Sequence, residues 1–588
     1  MSRAIRTAAA TAAAALTLAC APAQASWNDT VPVLARAFNW LRYLAAPQGT
    51  LETEMAPGAV AAPAVGPVGA TAPDWASYNK TLESARYASL AQITPQRVAG
   101  LEVLCTYDTG VYTGFNTGLI ELQGRLLFAS DHDTFVIDAN DCHEVWRVHE
   151  DYEPATPQNV NRGVAVLDGR VFRGTQDGRV LAYELASGRR LWETRIADPA
   201  RGESVPAAPI AWNGRVFVGN AGGDMKGVKG RMYALDAATG RIDWEFYLVP
   251  RTAGDVQRGP QADSPLDTSS WPLPAGAPIT GGATWTSYTL DAERGLLYVP
   301  GGNPAPDFAL GVRDGENLYS GSVVVLDART GAYRGHHKIV PKDWHDWDVS
   351  SAPALIRTAA GVPMMIVAPK DGHLYGFDLR DAGLRYRVPV TRVENADVPF
   401  EPGKDVHFCP GSVGGAEWNG PAFDPVTNQV LIGEAEWCTT VRVKPPERVL
   451  AQKDGKPWAG HDSINPLDVW GRQDPFTQWA GWVYAVDADT GRWRWRARTN
   501  YPVLSGMTPT GGGVVFFGDM GGHLYALDLR DGRRLWGRQM GGAIGGGVIT
   551  YDAGAGQRVA VATGLTEVLW PTRITTAKVS VLGMPAGR

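Results

Sequence analysis

The 588-residue sequence has little charge, since Asp, Glu, Lys and Arg together make up 20% of it. Its formal net charge at pH 7 is −6 and its isoelectric point is near 6.0, which argues against a nucleic-acid-binding surface. No apolar run is long enough to span a bilayer, so we predict no transmembrane segment. The five cysteines include no C-x-x-C-H sequence, and we therefore expect no covalently attached c-type haem.

The first residues have the pattern of a secretory signal peptide. Arg3 and Arg6 precede a short run of small apolar residues, and Ala23–Ala25 offers an A-x-A cleavage site. We therefore predict a signal peptide over residues 1–25, export through the Sec pathway and a periplasmic location. Cys20 leaves a lipid anchor open, although the residues before it fit a lipobox poorly.

Export changes what the remaining four cysteines imply. An even number of cysteines in an oxidising compartment favours disulfides, and four cysteines allow three pairings. The pairing of sequence neighbours, Cys105 with Cys142 and Cys409 with Cys438, is the simplest. Each bond would close a loop of about 30–40 residues, which is worth roughly 3.5–4 kcal/mol on a chain-entropy model. Free buried thiols are the alternative.

Residues 26–73 differ in composition from the rest of the chain. Val31–Ala45 has apolar residues at helical spacing and predicts one short helix. Ala46–Ala72 is rich in Ala, Pro and Gly, which is typical of a linker. We interpret residues 26–73 as an N-terminal extension, either a docking helix or a loosely packed and mobile segment, outside a single domain over residues 74–588.

A repeat begins beyond this extension. Its template is a strand, an Asp-x-x-Thr-Gly turn, a second strand and a Trp, which is the pattern of a β-hairpin. Tyr233–Trp244, Tyr484–Trp495 and Tyr525–Trp536 are the clearest copies. Weaker copies have their anchor residues at Asp138, Glu184, Asp327 and Asp378.

The spacing of the copies predicts the architecture. The anchors recur about every 40–50 residues, and two intervals are about twice as long. Each long interval contains a degenerate hairpin, one at Asp291 and one at Asp424. Counting these gives about eight units, so we predict an all-β, eight-bladed β-propeller with the recurring tryptophans packed between blades. Arg251–Pro278 and Glu447–Gln478 interrupt the period, and we expect them to overhang one face and shape a pocket.

Strings outside the repeat are similar to those of the pyrroloquinoline quinone (PQQ)-dependent alcohol dehydrogenases, of the soluble type without a haem c domain. The resemblance runs from about residue 74 to residue 564. The strings, in the order of the family, are Val160–Ala165, Gly219–Asp224, Gly281–Trp285, Gly302–Pro306, Asp346–Asp348, Cys409–Gly411, Trp418–Pro421 and Gly518–Asp528. The resemblance also implies the Cys409–Cys438 pairing.

The resemblance implies residues that bind the cofactor. PQQ is flat and carries three carboxylates, so it needs an aromatic floor and cationic partners. Trp285 matches the stacking tryptophan, Arg162 the arginine that pairs with the cofactor, and Lys370 a basic residue near the quinone oxygens. The remaining positions implied for cofactor binding are Trp418, Asn419 and Asn116, the last replacing a glutamate of the family. Thr156 and Pro157 occupy the place where the family often has two adjacent cysteines.

The resemblance also implies a hard cation with oxygen ligands, either Ca²⁺ or a lanthanide. Asn303 matches a family ligand, and Asp224 stands where the family usually has a longer Glu. The run around Asp346 and Asp348 allows two alignments. In the gap-free one, Asp346 is both a metal ligand and the general base, and Asp348 is an extra metal ligand that favours a lanthanide. In the other, Asp348 is the base, Ser350 takes the extra position and Ca²⁺ is implied.

These features together imply an exported dehydrogenase that uses PQQ to oxidise an alcohol or an aldehyde. The alcohol would be a small molecule or a polymer, and the electrons would pass to a separate cytochrome c. The alternative is a non-catalytic periplasmic propeller scaffold of the outer-membrane assembly type, which would share the hairpin repeat but would not need Arg162, Asp224, Asn303 and Asp346.

Overall fold

The fold is described from a computed structural model over residues 50–64, 69–153, 159–462, 470–567 and 569–585. The predicted signal peptide, the predicted helix at Val31–Ala45 and the Thr156–Pro157 position lie outside these residues. In the part of the chain described, no helix is long and apolar enough to cross a membrane.

In the residues described, eight antiparallel sheets surround an axis as blades, and each contains four adjacent strands, here called a to d from the axis outwards. Blade 1 contains β3 (Ile120–Leu122), β4 (Arg125–Ala129), β5 (Asp133–Asp138) and β6 (Glu144–His149). Blade 2 contains β7 (Ala165–Leu167), β8 (Arg170–Gly174), β9 (Arg179–Glu184) and β10 (Arg190–Arg195). Blade 3 contains β11 (Ile210–Trp212), β12 (Arg215–Gly219), β13 (Arg231–Asp236) and β14 (Ile242–Tyr247). Blade 4 contains β15 (Thr289–Asp291), β16 (Leu296–Pro300), β17 (Ser322–Asp327) and β18 (Tyr333–Lys338).

The remaining blades follow the same plan. Blade 5 contains β19 (Ala354–Arg357), β20 (Pro363–Val367), β21 (His373–Asp378) and β22 (Gly383–Pro389). Blade 6 contains β24 (Ala422–Asp424), β25 (Gln429–Glu436), β28 (Ala480–Asp487) and β29 (Trp493–Thr499). Blade 7 contains β30 (Thr508–Pro509), β31 (Val514–Gly518), β32 (His523–Asp528) and β33 (Arg534–Gln539). Blade 8 contains β34 (Val548–Asp552), β35 (Gln557–Thr563), β36 (Lys578–Gly583) and β2 (Glu102–Asp108). The short a strands of blades 2 and 3, and those of successive blades from 4 to 8, contact one another, as expected for strands that line the axis of a propeller.

Blade 8 closes the ring with strands from both ends of the domain. Its d strand is β2, which comes before blade 1 in sequence and pairs with β36 from Glu102↔Gly583 to Asp108↔Lys578. The eight-bladed prediction is thus confirmed, but the counting behind it was wrong. The hairpins at Asp291 and Asp424 are the a–b turns of blades 4 and 6, not extra units. The long intervals reflect insertions between strands instead.

The repeat turns connect strands c and d, and several of them receive a side chain from the preceding blade. Indole N–H groups donate to turn carbonyls of the next blade in four cases: Trp146 to Leu185, Trp192 to Ala237, Trp244 to Ala328 and Trp495 to Leu529. Gly240, in the turn under Trp192, has φ +75°, and a Cβ there would lie 2.6 Å from the indole. The glycine of the template is therefore required twice, by the left-handed backbone and by the close approach of the indole. The predicted packing of the tryptophans between blades is confirmed.

Both neighbour disulfides are present, Cys105–Cys142 and Cys409–Cys438. Cys105 lies on the d strand of blade 8 and Cys142 in the c–d turn of blade 1. This bond therefore makes the contact across the ring closure that a tryptophan makes elsewhere. Cys409 follows β23 (Asp405–Phe408), and Cys438 precedes β26 (Thr439–Arg442) in the insertions around blade 6. β23 and β26 form a small sheet with β27 (Arg472–Gln473).

The N-terminal extension contains a strand where a linker was predicted. β1 (Leu51–Met55) pairs antiparallel with β29 and becomes a fifth, outermost strand of blade 6. Leu51 and Met55 pack against the core between blades 6 and 7. Thr53 donates its hydroxyl to the carbonyl of Gly532 in the next blade. These alternating contacts tie the segment to the domain, so the linker interpretation is wrong for residues 51–55.

The two interruptions of the repeat, Arg251–Pro278 and Glu447–Gln478, are here called the first and the second insertion. The α-helix α1 (Pro446–Leu450) lies at the start of the second insertion, and short 3₁₀ turns lie at Val98–Gly100, Pro199–Arg201 and Phe476–Gln478. In the first insertion, Trp271 is 4% exposed and packs on Val249 and Ile279. The indole N–H of Trp271 donates to the carbonyl of Leu318. The first insertion is therefore docked against blades 3 and 4.

Candidate active site

All the predicted site residues lie at one end of the propeller. In an up-and-down blade, the d–a and b–c connections lie at one end and the a–b and c–d turns at the other. The d–a connections carry Asn116, Arg162, Trp285, Asp346, Asp348, Trp418 and Asn419. The b–c connections carry Asp224, Asn303 and Lys370. The repeat turns are c–d turns, so the repeated and the non-repeated motifs lie on opposite faces.

Three carboxylates meet on the site face. One oxygen from each of Asp224, Asp307 and Asp346 lies within 4.8 Å of the other two, an arrangement able to hold a metal ion. Asp307 and Asp346 are buried and Asp224 is partly buried. Sequence reasoning missed Asp307, which lies only four residues beyond Asn303 in the same b–c connection. A signal was available, because an acidic residue directly follows the quoted Gly302–Pro306 string.

The electrostatics of these carboxylates call for a cation. Burial and the nearby charge of Asp348 raise the pKa of Asp224 to about 6. Burial likewise raises the pKa of Asp346 well above its usual value, with the other acidic groups adding to the effect and Lys370 opposing it. Burial and the charge of Asp224 also raise the pKa of Asp307 well above its usual value. A bound cation would stabilise the ionised carboxylates, so the donor set fits the hard metal ion that the sequence implied.

Asn303 is held between neighbouring segments. Its backbone N–H donates to Oδ1 of Asp348 at 2.9 Å, and its carbonyl accepts from the N–H of Gly282 at 2.9 Å. Its side-chain Nδ2 donates to Oδ1 of Asp307 at 2.5 Å, so the amide of Asn303 lies directly beside the acidic group. Gly302 is needed beside it, because a Cβ there would lie 2.7 Å from Oδ1 of Asp348.

The loop that carries Asp346 is built around a buried carboxylate. Asp343 accepts from the backbone N–H groups of His345 at 2.9 Å and Trp347 at 3.1 Å. Asp346 has φ +67°, in the left-handed region, which is strained for a residue other than glycine. Arg313 donates to the carbonyls of Asp343 at 2.7 Å and Pro306 at 2.9 Å. This arginine therefore ties the Asp346 loop to the Asp307 loop.

Lys370 neutralises part of the acidic charge. Its ammonium lies 2.8 Å from Oδ2 of Asp348 and 3.4 Å from Oδ2 of Asp346. Although burial opposes it, the charges of Asp346 and Asp348 hold the pKa of Lys370 well above its usual value. The ammonium also lies 5.5 Å from the ring centroid of Trp285, so the lysine joins the acidic group to the aromatic part of the site.

Arg162 lies between two indole rings. Its guanidinium carbon is 5.0 Å from the ring centroid of Trp285 and 4.1 Å from that of Trp418. Nε and Nη1 of Arg162 are buried and have no hydrogen-bond partner among the described residues, and neither polar atom of the Asn116 side chain has one there either. Buried N–H groups without partners are costly, so the arrangement fits a flat anionic ligand that would accept from them.

Two glutamates lie close enough to Arg162 to feel its charge. Burial raises the pKa of Glu417 and of Glu567 to about 7 in each case, and the charge of Arg162 lowers both. Burial in turn lowers the pKa of Arg162. No sequence motif had singled out either glutamate.

Trp418 and Asn419 have different surroundings. The indole N–H of Trp418 donates to the carbonyl of Gly545 at 2.5 Å, which fixes the ring beside Arg162. The side chain of Asn419 donates to the carbonyl of Gly433 at 2.7 Å and accepts from the N–H of Glu417 at 3.1 Å. Asn419 therefore holds the loop that presents Trp418, and its role in binding a cofactor stays a prediction.

The second insertion reaches the acidic group from outside the blades. The N–H of Trp458 donates to the carbonyl of Asp224 at 2.7 Å, and its own carbonyl accepts from the N–H of Asp307 at 3.0 Å. The N–H of Gly460 donates to the carbonyl of Asp307 at 2.7 Å. Lys226 anchors the same segment by donating to the carbonyls of Leu450 and Gln452. The insertion thus brings two of the three carboxylate residues together.

Comparisons with known proteins agree with this geometry. Residues 75–406 match the PQQ family model described as glucose/ethanol/alcohol dehydrogenase, beta-propeller domain, and residues 478–577 match that of the outer membrane protein assembly factor BamB. The chain is 28% identical over 514 residues to the lanthanide-dependent methanol dehydrogenase of Methylacidiphilum fumariolicum, covering 81% of this chain and 82% of that protein. It is 28% identical over 525 residues to the quinohemoprotein alcohol dehydrogenase of Comamonas testosteroni, covering 84% and 73%.

A solved structure, a europium-containing methanol dehydrogenase, has the same fold, with a TM-score of 0.76 at 24% identity over 87% of this chain and 98% of that one. The match of the first family model extends over more than half of the chain and includes Arg162, Trp285 and the acidic group. The chain belongs to the PQQ-dependent alcohol dehydrogenase family and is an oxidoreductase.

Proposed function

We propose that the protein is an exported dehydrogenase that oxidises an alcohol or an aldehyde with PQQ and a metal ion, and passes the electrons to a separate cytochrome c. The observation that carries the proposal is that Lys370 joins the acidic group to the aromatic part of the site. Lys370 contacts the acidic group on one side and Trp285 on the other, and Trp285 lies against Arg162, whose Nε and Nη1 have no partner in the described part of the chain. A flat carboxylated cofactor over Trp285 would therefore meet both a cation and a metal.

The aromatic part and the acidic part of the site would bind different groups. Trp285 and Trp418 supply aromatic surface, and Arg162 supplies N–H donors for carboxylates of the cofactor. Asp224, Asp346 and the side-chain oxygen of Asn303 would hold Ca²⁺ or a lanthanide. A bound PQQ would supply the acceptor for the substrate hydride, and a metal held by these ligands would supply a Lewis acid beside it. The residues of the chain supply orientation, charge balance and a proton acceptor.

We assign the proton acceptor to Asp346. Its carboxylate is buried beside the proposed metal position, and its only contact to Lys370 is long, at 3.4 Å. Both oxygens of Asp348 are already occupied, one by the N–H of Asn303 and one by Lys370 at 2.8 Å. A base needs a free oxygen directed at the substrate hydroxyl, and this favours Asp346. Asp348 then orients Asn303 and Lys370 and adds negative charge near the metal.

The metal requirement can be tested with the chelator-treated full-length protein. We expect the absorbance of protein-bound PQQ and catalytic turnover to appear only when PQQ is added together with Ca²⁺ or La³⁺. The Asn303→Ala variant should bind the metal much more weakly. Asp314→Asn is the matched control, because Asp314 is exposed in the same connection. Unchanged activity of Asn303→Ala after chelation would contradict the assignment. A panel of primary, secondary and polymeric alcohols and aldehydes, with artificial and cytochrome c acceptors, identifies substrate and partner.

The second candidate function is a periplasmic scaffold. It is favoured by the match of residues 478–577 to an outer-membrane assembly factor. That segment belongs to blades 6, 7 and 8 and includes two clear copies of the hairpin repeat, but none of the proposed cofactor or metal residues. A protein that binds neither PQQ nor a metal, yet captures outer-membrane precursor proteins, would support this function instead.

A further inference from the structure

The acidic group contains a carboxylate that the resemblance to the family did not identify. Asp307 is 0% exposed, and its Oδ1 accepts from Nδ2 of Asn303. Its Oδ2 is buried and has no hydrogen-bond partner among the described residues. A buried carboxylate oxygen without a partner is costly unless a ligand completes it. An oxygen of this side chain lies within 4.8 Å of oxygens of Asp224 and Asp346.

The backbone of Asp307 is fixed from both sides. Its N–H donates to the carbonyl of Trp458 and its carbonyl accepts from the N–H of Gly460, so the second insertion holds this residue against the acidic group. Arg313 holds the preceding residue, Pro306, by its carbonyl. This arginine makes no ion pair with the Asp307 carboxylate within 4.0 Å in the described residues. The guanidinium lowers the pKa of Asp307 from a distance, against burial and the charge of Asp224, and it leaves Oδ2 without a direct partner among the described residues.

The charge balance indicates the class of ion. In the part of the chain described, the four carboxylates of Asp224, Asp307, Asp346 and Asp348 are opposed by two cations, the ammonium of Lys370 in direct contact and the guanidinium of Arg313 at longer range. A trivalent ion compensates this excess more completely than a divalent one, and lanthanides share with Ca²⁺ a preference for many oxygen ligands. The shorter reach of Asp224, compared with a Glu, leaves room in the coordination sphere for another ligand from the chain.

We propose that Asp307 is a direct metal ligand of this site and biases it towards trivalent ions, resting on the proposed PQQ and metal function. The ion would then be bound by carboxylates from a d–a connection and from the b–c connections of blades 3 and 4. The second insertion acts on affinity through its contacts to Asp224 and Asp307. The rival role for Asp307 is only to orient the amide of Asn303.

The test compares Asp307→Asn with the wild-type full-length protein, each with and without PQQ. The amide oxygen of the new Asn still accepts from Nδ2 of Asn303, so the orienting role is kept while the charge is lost. We expect the affinity for Eu³⁺ or La³⁺ to fall by about 100-fold or more and the affinity for Ca²⁺ to fall less. The Eu³⁺ luminescence lifetimes in H₂O and D₂O should report about one additional coordinated water. Asp314→Asn, with the same charge change in the same connection, should leave both readouts unchanged.

The outcomes separate the roles. A lanthanide affinity within about 3-fold of wild type would overturn the proposal in favour of the orienting role. A loss of affinity without an added water would overturn it in favour of an effect of the charge alone, without direct coordination. Wild-type protein that binds no metal at all would instead reject the proposed function. If Asp307→Asn is insoluble, Asp307→Ser is compared with Asn303→Ala, and a native circular dichroism spectrum confirms that each variant is folded. A larger loss of lanthanide affinity in Asp307→Ser supports direct coordination, and an equal or smaller loss supports the orienting role.

Discussion

The two faces of the propeller use aspartate in opposite ways. On the turn face, Asp236 accepts from the N–H and hydroxyl of Thr239 at 2.8 and 2.7 Å, and this hydroxyl lowers its pKa. On the site face, burial raises the pKa of Asp224 to about 6 and that of Asp346 well above its usual value. The turn aspartates are satisfied by their own hairpin, whereas Asp346 accepts from Lys370 of another connection, at 3.4 Å.

This difference separates stability from function. A turn carboxylate that finds its donors within four residues stabilises the local backbone and needs no ligand. The site carboxylates are brought together from separate connections and held by backbone contacts, so their unfavourable proximity is maintained by the rest of the fold. Changes on the turn face should therefore alter unfolding without altering turnover, and changes on the site face should do the reverse.

The largest expected effect is that of Asp346→Asn. Removing the proton acceptor should lower kcat by about 10³-fold or more while PQQ remains bound, because Arg162 and Trp285 are untouched. Steady-state kinetics at saturating metal and the absorbance of the bound cofactor measure the two properties. Asp327→Asn, in a repeat turn of blade 4, should leave kcat unchanged.

The same experiment decides between the two alignments of this loop. Asp348→Asn should mainly change the metal preference. The two oxygens of Asp348 contact Asn303 and Lys370, so neither is free to accept the proton of the substrate. If Asp348→Asn abolishes turnover at saturating metal and Asp346→Asn stays active, Asp348 is the base and the gap-free alignment is wrong.

The fold could be predicted from the sequence because the repeat is local. Each c–d hairpin contains its own strand pattern and turn residues, so blade number and the packing of Trp192 or Trp495 follow from short segments. The closing blade could not be counted in this way, because its four strands come from both ends of the domain. β1 was missed for a related reason: an Ala- and Pro-rich neighbourhood predicts a linker, and only the edge of blade 6 makes residues 51–55 a strand.

The candidate site was only partly predictable. Motif strings located Arg162, Trp285, Asn303 and Lys370, and the structure brings them to one face. Asp307 and the contribution of Trp458 were missed, because long insertions carry no periodic pattern and the contact of residue 458 with residues 224 and 307 is non-local. The sequence likewise left two alignments at Asp346 and Asp348, which differ in contacts that only packing defines.

The largest expected effect on the turn face is removal of the Cys105–Cys142 disulfide. This bond joins blade 8 to blade 1 and closes a loop with a sequence separation of 37 residues. The Cys105→Ala, Cys142→Ala double variant should lose about 3–4 kcal/mol of unfolding free energy. Urea unfolding measures the loss, and the kcat of the folded protein should not change. A parallel fall in kcat and metal affinity would mean that the two faces are coupled.

A smaller loss of stability is expected from Gly240→Ala. The new Cβ must tolerate φ +75° and a position 2.6 Å from the Trp192 ring, for a total cost of about 2–3 kcal/mol. Gly214→Ala is the matched control, because Gly214 lies in the a–b turn of the same blade with the same φ of +75° and no atom within 4 Å of the new Cβ. The loss of unfolding free energy in Gly214→Ala therefore measures the cost of the left-handed backbone alone. Equal losses in the two variants would show that docking of the tryptophan does not depend on this glycine.

The smallest expected effect is the pH dependence contributed by Asp327. Its carboxylate pairs with Arg334 at 2.8 Å and accepts from the hydroxyl of Thr330 at 3.0 Å, and both contacts hold its pKa below the usual value. A pKa that is lower in the folded state contributes stability above the unfolded pKa of about 3.9, and this contribution disappears as the pH falls through the folded pKa. Asp327→Asn should therefore unfold with about 0.5–1 kcal/mol less free energy at pH 7, and the difference should shrink below about pH 4.

Urea titrations at a series of pH values measure this difference in unfolding free energy, with Glu293→Gln in the exposed a–b turn of the same blade as the charge-matched control. A difference that stays constant down to pH 3 would mean that the hydrogen bonds of the turn, rather than the charge of the carboxylate, make the contribution.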